Sequence, residues 1–259
     1  MLFASIFAVG GLATQPAPAL AAATKVVIVV GPTGSQTREY KDSARYYAKV
    51  ARGYGANVVE IYSPYATWSK VKAAAQGANM LIYLGHGNGY PSPYGAFQRY
   101  TKDGLGLNRS SGNGNSNVKY WGEYYIDRYI QMAPNAVVIL ARLCYASGNS
   151  EWGAPNPTKR TAKKRVDNYG AGFLRAGAKA VFAEGITNAA YIIRNLFTTN
   201  KSYLDIFWSS PYRTVSYKFS FMSSRTSGMF AALDPKKPGR YYRSFIGKAR
   251  VTAAQWRDS

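Results

Sequence analysis

Ala78-Asn79-Met80-Leu81-Ile82-Tyr83-Leu84-Gly85-His86-Gly87 is an apolar run that stops at a histidine held between two glycines. Residues 135–144, Asn-Ala-Val-Val-Ile-Leu-Ala-Arg-Leu-Cys, have the same build and stop at a cysteine. Neither run alternates polar with apolar residues, as a half-exposed strand does. Continuous apolar runs of this length suit strands covered on both faces, the situation in a parallel sheet. Three further runs match them: KVVIVV (25–30), ANVVEIY (56–62) and AKAVFAEG (178–185).

Helical patterns fill the gaps. In 37–53, Ala44, Tyr47, Ala48 and Ala51 fall at i, i+3, i+4 and i+7, with Gly53 and Gly55 as stops. Thr67 is a candidate N-cap for a helix ending near Gly77, and 119–132, 166–176 and 187–198 supply three more. Strands and helices in alternation predict an α/β fold, a three-layer sandwich around a mostly parallel central sheet. This pattern covers about 24–200; residues 201–259 lose it and are expected to form a C-terminal extension packed on the same domain. DGLGLNRSSGNGNSN (103–117) reads as a surface loop, and so does 149–165, with its two prolines and cluster of basic residues.

The chain has 259 residues, 33 Lys+Arg against 12 Asp+Glu, and a formal charge of +21. It holds one Cys and one His. An internal disulfide is excluded, and a structural zinc site finds too few Cys and His; no metal and no cofactor are expected. Residues 1–23 are apolar and uncharged and end in small residues (Ala19-Leu20-Ala21), the pattern of a signal peptide, so the protein is expected to be secreted or held at the cell surface, with no transmembrane span in the mature chain. The charge implies attraction to anionic cell-surface polymers; no module for specific nucleic-acid binding is visible. There is no P-loop, no G-x-S-x-G elbow and no G-x-G-x-x-G after the first strand.

In open α/β sheets, ligands bind at the carboxyl ends of the strands. His86 and Cys144 each fall just past such an end. If the two strands are neighbours, their ends lie about 5 Å apart. A thiolate is a nucleophile and an imidazole can move its proton. The N–H groups of Gly87 and Cys144 are candidates for an oxyanion hole. Each residue also has a plain structural reading: Cys144 as a small buried hydrophobe, His86 as an exposed side chain in a glycine turn.

A strand closing in Gly85-His86-Gly87, followed by one closing in Cys144, resembles the caspase–gingipain–legumain–separase superfamily of cysteine peptidases (clan CD). KVVIVVGPTG resembles that family's first strand and loop, and GAGFLRAGAKAVFAEG (170–185) the helix–strand unit after its cysteine. Cys144-Tyr145-Ala146-Ser147-Gly148 resembles the small-residue turn after its nucleophile. The resemblance implies a caspase-like fold over about 25–200 and a secreted cysteine-type endopeptidase acting on peptide or protein substrates. Cys144 would be the nucleophile, His86 the general acid/base, and Gly87 with Cys144 the oxyanion hole. The residue before the nucleophile is often Ala in that family; here it is Leu143, preceded by Arg142. Arg142 and Glu184 are candidate substrate-binding residues, Glu184 alternatively a helix N-terminal acid. In several relatives the segment after the cysteine is processed, which makes 149–165 a candidate cleavage loop beside its reading as a solvated basic loop. The alternative function is a non-catalytic, cell-surface or polyanion-binding module on the same fold.

Overall fold

A computed structural model describes residues 23–259. The signal-peptide reading of 1–23 falls almost wholly on residues outside that range.

Eight strands form one sheet in the order β2 (Asn57–Tyr62), β1 (Lys25–Val30), β3 (Met80–Leu84), β6 (Val137–Ala141), β7 (Ala180–Glu184), β10 (Arg243–Gly247), β9 (Phe230–Leu233) and β8 (Phe219–Met222). The first five are mutually parallel. From β10 onward each strand runs antiparallel to its neighbour. Helices α2 (Trp68–Ala75), α3 (Glu123–Tyr129) and α4 (Lys159–Arg175) cover one face; Val71, Ile126, Val166 and Phe173 pack there on Val27, Leu81, Val138 and Val181. Helices α1 (Thr37–Gly53), α5 (Ala190–Thr198), α6 (Tyr203–Trp208) and α7 (Ala253–Arg257) cover the other, where Ala48, Ile192, Phe207 and Trp256 meet Ile28, Ile82, Ile139 and Phe182. The alternation of in-facing residues explains the unbroken apolar runs: odd and even positions of the central strands both meet a helical layer. The expected three-layer α/β sandwich with a mostly parallel central sheet is therefore the fold.

Four details differ from the sequence reading. Residues 201–259 pack on the sheet through α6 and α7 and also supply three of its eight strands. Helix α4 begins at Lys159, where the Thr158 hydroxyl accepts the Thr161 N–H. Residues 159–165 are thus helical rather than a loop. Within 103–117, the stretch β4 (Leu105–Asn108) is a buried strand paired with β5 (Val118–Trp121), and its two leucines join the core. Helix α3 accordingly starts at Glu123, after that hairpin.

Long-range polar contacts tie the carboxyl-terminal elements to the sheet. The Trp256 indole N–H donates to the Asn79 carbonyl at the entry to β3 (2.9 Å), and the Asn79 amide donates to the Ser259 carbonyl (2.7 Å).

Candidate active site

Strands β3 and β6 are parallel neighbours, with Leu84 opposite Ala141. His86 therefore emerges two residues past one strand end, and Cys144 three past the next. Tyr83, fully buried, holds the histidine turn from below: its hydroxyl donates toward the carbonyls of Gly106 (2.8 Å) and His86 (3.1 Å) and accepts the Gly106 N–H (2.9 Å). A β-carbon at Gly85 would lie 2.2 Å from that hydroxyl, so only glycine leaves room for the ring. At Gly87 a β-carbon would lie 2.0 Å from the Cys144 carbonyl oxygen and 3.0 Å from its nitrogen. The two turns are in backbone contact. Neither the Gly87 nor the Cys144 N–H donates to a protein group among the described residues.

The backbone around Cys144 is unusual. Arg142 (φ 61°) and Tyr145 (φ 69°) both adopt the left-handed region, which bulky residues enter at a cost of about 1–3 kcal/mol each. They turn the chain so that the Cys144 carbonyl accepts the Ala146 N–H (2.9 Å) and the Tyr145 carbonyl accepts the Gly148 N–H (2.8 Å). Leu143, between left-handed Arg142 and the cysteine, is buried in the core.

Cys144 is half-buried in the wall of a cleft of about 490 Å³. Glu39, Tyr40, Arg142, Glu151, Trp152, Arg240 and Tyr242 share that wall; His86 lies outside it. Burial pushes the Cys144 thiol up, Glu151 adds to the rise, and a hydrogen bond from the Trp152 N–H opposes it. His86 is exposed on one side and desolvated on the other, which lowers its pKa. Both shifts favour the neutral thiol and neutral imidazole at rest.

Arg142 lines the cleft as the sequence allowed. Its guanidinium pairs with Glu39 and sits 5.5 Å from the Tyr40 ring centre, and Tyr40 donates to the Arg142 carbonyl (3.3 Å). Glu184 does not join it. Its carboxylate is fully buried, accepts both Arg243 Nε contacts (3.1 Å each) and the Tyr191 hydroxyl (2.6 Å), and is met by the Thr187 hydroxyl. Arg243 also bonds Asp234 (2.5 Å) and the Phe207 carbonyl (2.7 Å). With its oxygens so occupied, Glu184 joins β7 to β10 and α5, and it does not line the cleft.

Several residues at the site had no motif to announce them. Glu151 is held by the Tyr94 hydroxyl (2.5 Å), and Trp152 stands 99% exposed at the rim. A lone tryptophan in a Gly-Pro loop just after the cysteine was the available signal. Arg165 is buried under both turns: it bonds the Pro91 carbonyl (2.7 Å) from the loop after His86 and Ser150 Oγ (3.0 Å) from the loop after Cys144, and stacks 4.7 Å from the Tyr145 ring centre. Among the described residues, no group of three or more His, Cys, Asp or Glu is placed to hold a metal ion. No described helix is long and apolar enough to cross a membrane.

No family model and no curated protein matches the chain. Among solved structures, it is similar to a secreted C11 cysteine protease from Bacteroides thetaiotaomicron in complex with an irreversible peptide inhibitor. The identity is 10%, the TM-score 0.39, and the match covers 82% of this chain and 66% of that one.

Proposed function

We propose that the protein is a cysteine-type endopeptidase that hydrolyses peptide bonds through Cys144 and His86. One observation carries the reading: neighbouring parallel strands carry the chain's single thiol and single imidazole just past their carboxyl ends, with Gly87 pressed on the Cys144 backbone. His86 takes the Cys144 proton as sulfur attacks the substrate carbonyl carbon, giving a tetrahedral oxyanion. The free N–H groups of Gly87 and Cys144 receive that oxygen. The carbon–nitrogen bond then breaks, His86 protonates the departing amine, and a thioester remains. Water, deprotonated by His86, attacks the thioester and releases the acid and the thiol. Because the resting pair is neutral, the proton moves during attack rather than before it. Arg142, on the cleft wall, contacts the substrate in this reading. The uncharged apolar stretch before Lys25 supports export of the enzyme.

Iodoacetamide labelling and hydrolysis of a fluorogenic peptide library test this in wild type and Cys144→Ala. Labelling at Cys144 and hydrolysis by wild type alone are expected. Equal hydrolysis by both proteins, or an unlabelled Cys144, overturns the proposal.

A further inference from the structure

Helix α4 presents Lys159, Arg160, Lys163 and Lys164 to a groove of about 470 Å³ whose opposite wall is Phe221 and Met222 of β8. The groove shares no residue with the cleft at Cys144. β8 lies four strands from β6, about 19 Å at the usual strand spacing. None of the four cations forms an ion pair among the described residues. Two of them rest on aromatic rings instead, Lys159 at 4.5 Å from the Phe219 centre and Lys163 at 5.1 Å from that of Phe221. The one carboxylate in the wall, Asp167, is spent: it accepts the hydroxyls of Ser223 (2.5 Å) and Ser224 (2.6 Å) and the Ser224 N–H (2.9 Å).

The strand beside these cations is an open edge. β8 ends the sheet, and its four residues include neither a charge nor a proline, the usual blocks to strand addition. The Ser223 N–H donates to the Met229 carbonyl (2.8 Å), continuing the ladder in which Phe221 faces Ala231 and Phe219 faces Leu233. Antiparallel pairs alternate, so Ser220 and Met222 turn their N–H and C=O groups to the open side. Met222 is 60% exposed and also walls a second groove with Phe230, Lys248 and Arg250. The edge thus offers unpaired backbone groups, an apolar floor and cations in the grooves beside it.

We propose that this edge binds an acidic segment of another protein as an added β-strand. A peptide answers all three features: backbone amides for Ser220 and Met222, alternate side chains for Phe221 and Met222, carboxylates for the α4 cations. A polyanion without amides answers only the last. A second copy of this chain is disfavoured by the +21 charge that each would bring.

The probe is a fluorescein-labelled peptide alternating Glu and Val, with a Gln–Val peptide as control, on Cys144→Ala protein to prevent cleavage. The Glu–Val peptide binds, and the Gln–Val peptide binds about tenfold or more weakly, the combined scale of four exposed ion pairs. Joint replacement of Lys159, Arg160, Lys163 and Lys164 by Ser gives a similar loss. Ser220→Pro removes an outward N–H while sparing the β9 ladder, and abolishes binding with the melting temperature retained. Hydrogen exchange on the Cys144→Ala protein, otherwise unaltered, slows at the Ser220 and Met222 amides when the peptide is bound, a readout that needs no edge variant to fold. Unchanged exchange at those amides, or full binding by folded Ser220→Pro, overturns strand addition. Heparin binding that depends on the four cations, with peptide binding indifferent to the edge, overturns it in favour of a polymer site.

Discussion

Gly87 and Cys144 touch through their backbones: a β-carbon on the first would stand 2.0 Å from the carbonyl oxygen of the second. This contact welds the turn after β3 to the turn after β6. It ties the positions of His86 and Cys144 to the sheet through their neighbouring backbones.

Gly87→Ala forces those turns apart. The overpacking costs about 1–3 kcal/mol of stability. An Å-scale displacement of the pair lowers peptide hydrolysis by about a hundredfold. Thermal melts and kcat/KM on one fluorogenic peptide check both, and a variant with wild-type turnover refutes the coupling.

Glu151→Gln removes a charge that raises the Cys144 pKa, leaving burial and the Trp152 N–H as the remaining influences. The midpoint of the pH profile for Cys144 alkylation therefore moves to lower pH. A profile that stays put, or moves upward, shows that Glu151 does not act on the thiol.

Asp103 is fully buried beneath the histidine loop, where it accepts the Tyr90 N–H (3.0 Å), and burial pushes its carboxyl up to about 8. Between about 4 and that value the folded chain holds a proton that the unfolded chain has lost. Folding therefore binds protons, and stability falls as pH rises through this window. Asp103→Asn flattens the fall, measured as urea midpoints at several pH values; an unchanged slope assigns it to another group.

Arg243→Met leaves Glu184 and Asp234 buried without their cation. Breaking a buried pair from one side costs about 3–5 kcal/mol, read as a drop in the denaturant midpoint. Adding Glu184→Gln to that variant recovers part of the loss, because one stranded charge is gone.

The sequence exposed the central parallel strands because they are sandwiched between helices and their buried positions are almost all apolar. β3 and β6 are the clearest cases, and the strand-end rule then pointed to His86 and Cys144 before any geometry was known. The antiparallel half was hidden for the opposite reason. β8 is half-exposed, with Ser220 outward, and β10 opens with Arg243, whose burial is tolerable only beside Glu184 and Asp234, distant in sequence. The first turns of α4 were hidden by their charge: Lys159, Arg160 and Lys164 face water, and only the Thr158 cap marks the start. Glu151 and Arg165 are held by distant partners, the Tyr94 hydroxyl and the Pro91 carbonyl, which no local pattern encodes; for Trp152 the lone tryptophan in a Gly-Pro loop was the one signal.

The bond from the Trp256 indole to the Asn79 carbonyl spans 177 positions and anchors the strand that carries His86. Its consequence concerns the order of synthesis. A chain that has left the ribosome as far as residue 200 already owns Cys144 and His86. It still lacks the strand that pairs with β7 and the indole that steadies β3. In the proposed peptidase the site is framed only once Trp256 and β10 are in place, so an interrupted product carries both side chains without the contacts that hold β3 and β7.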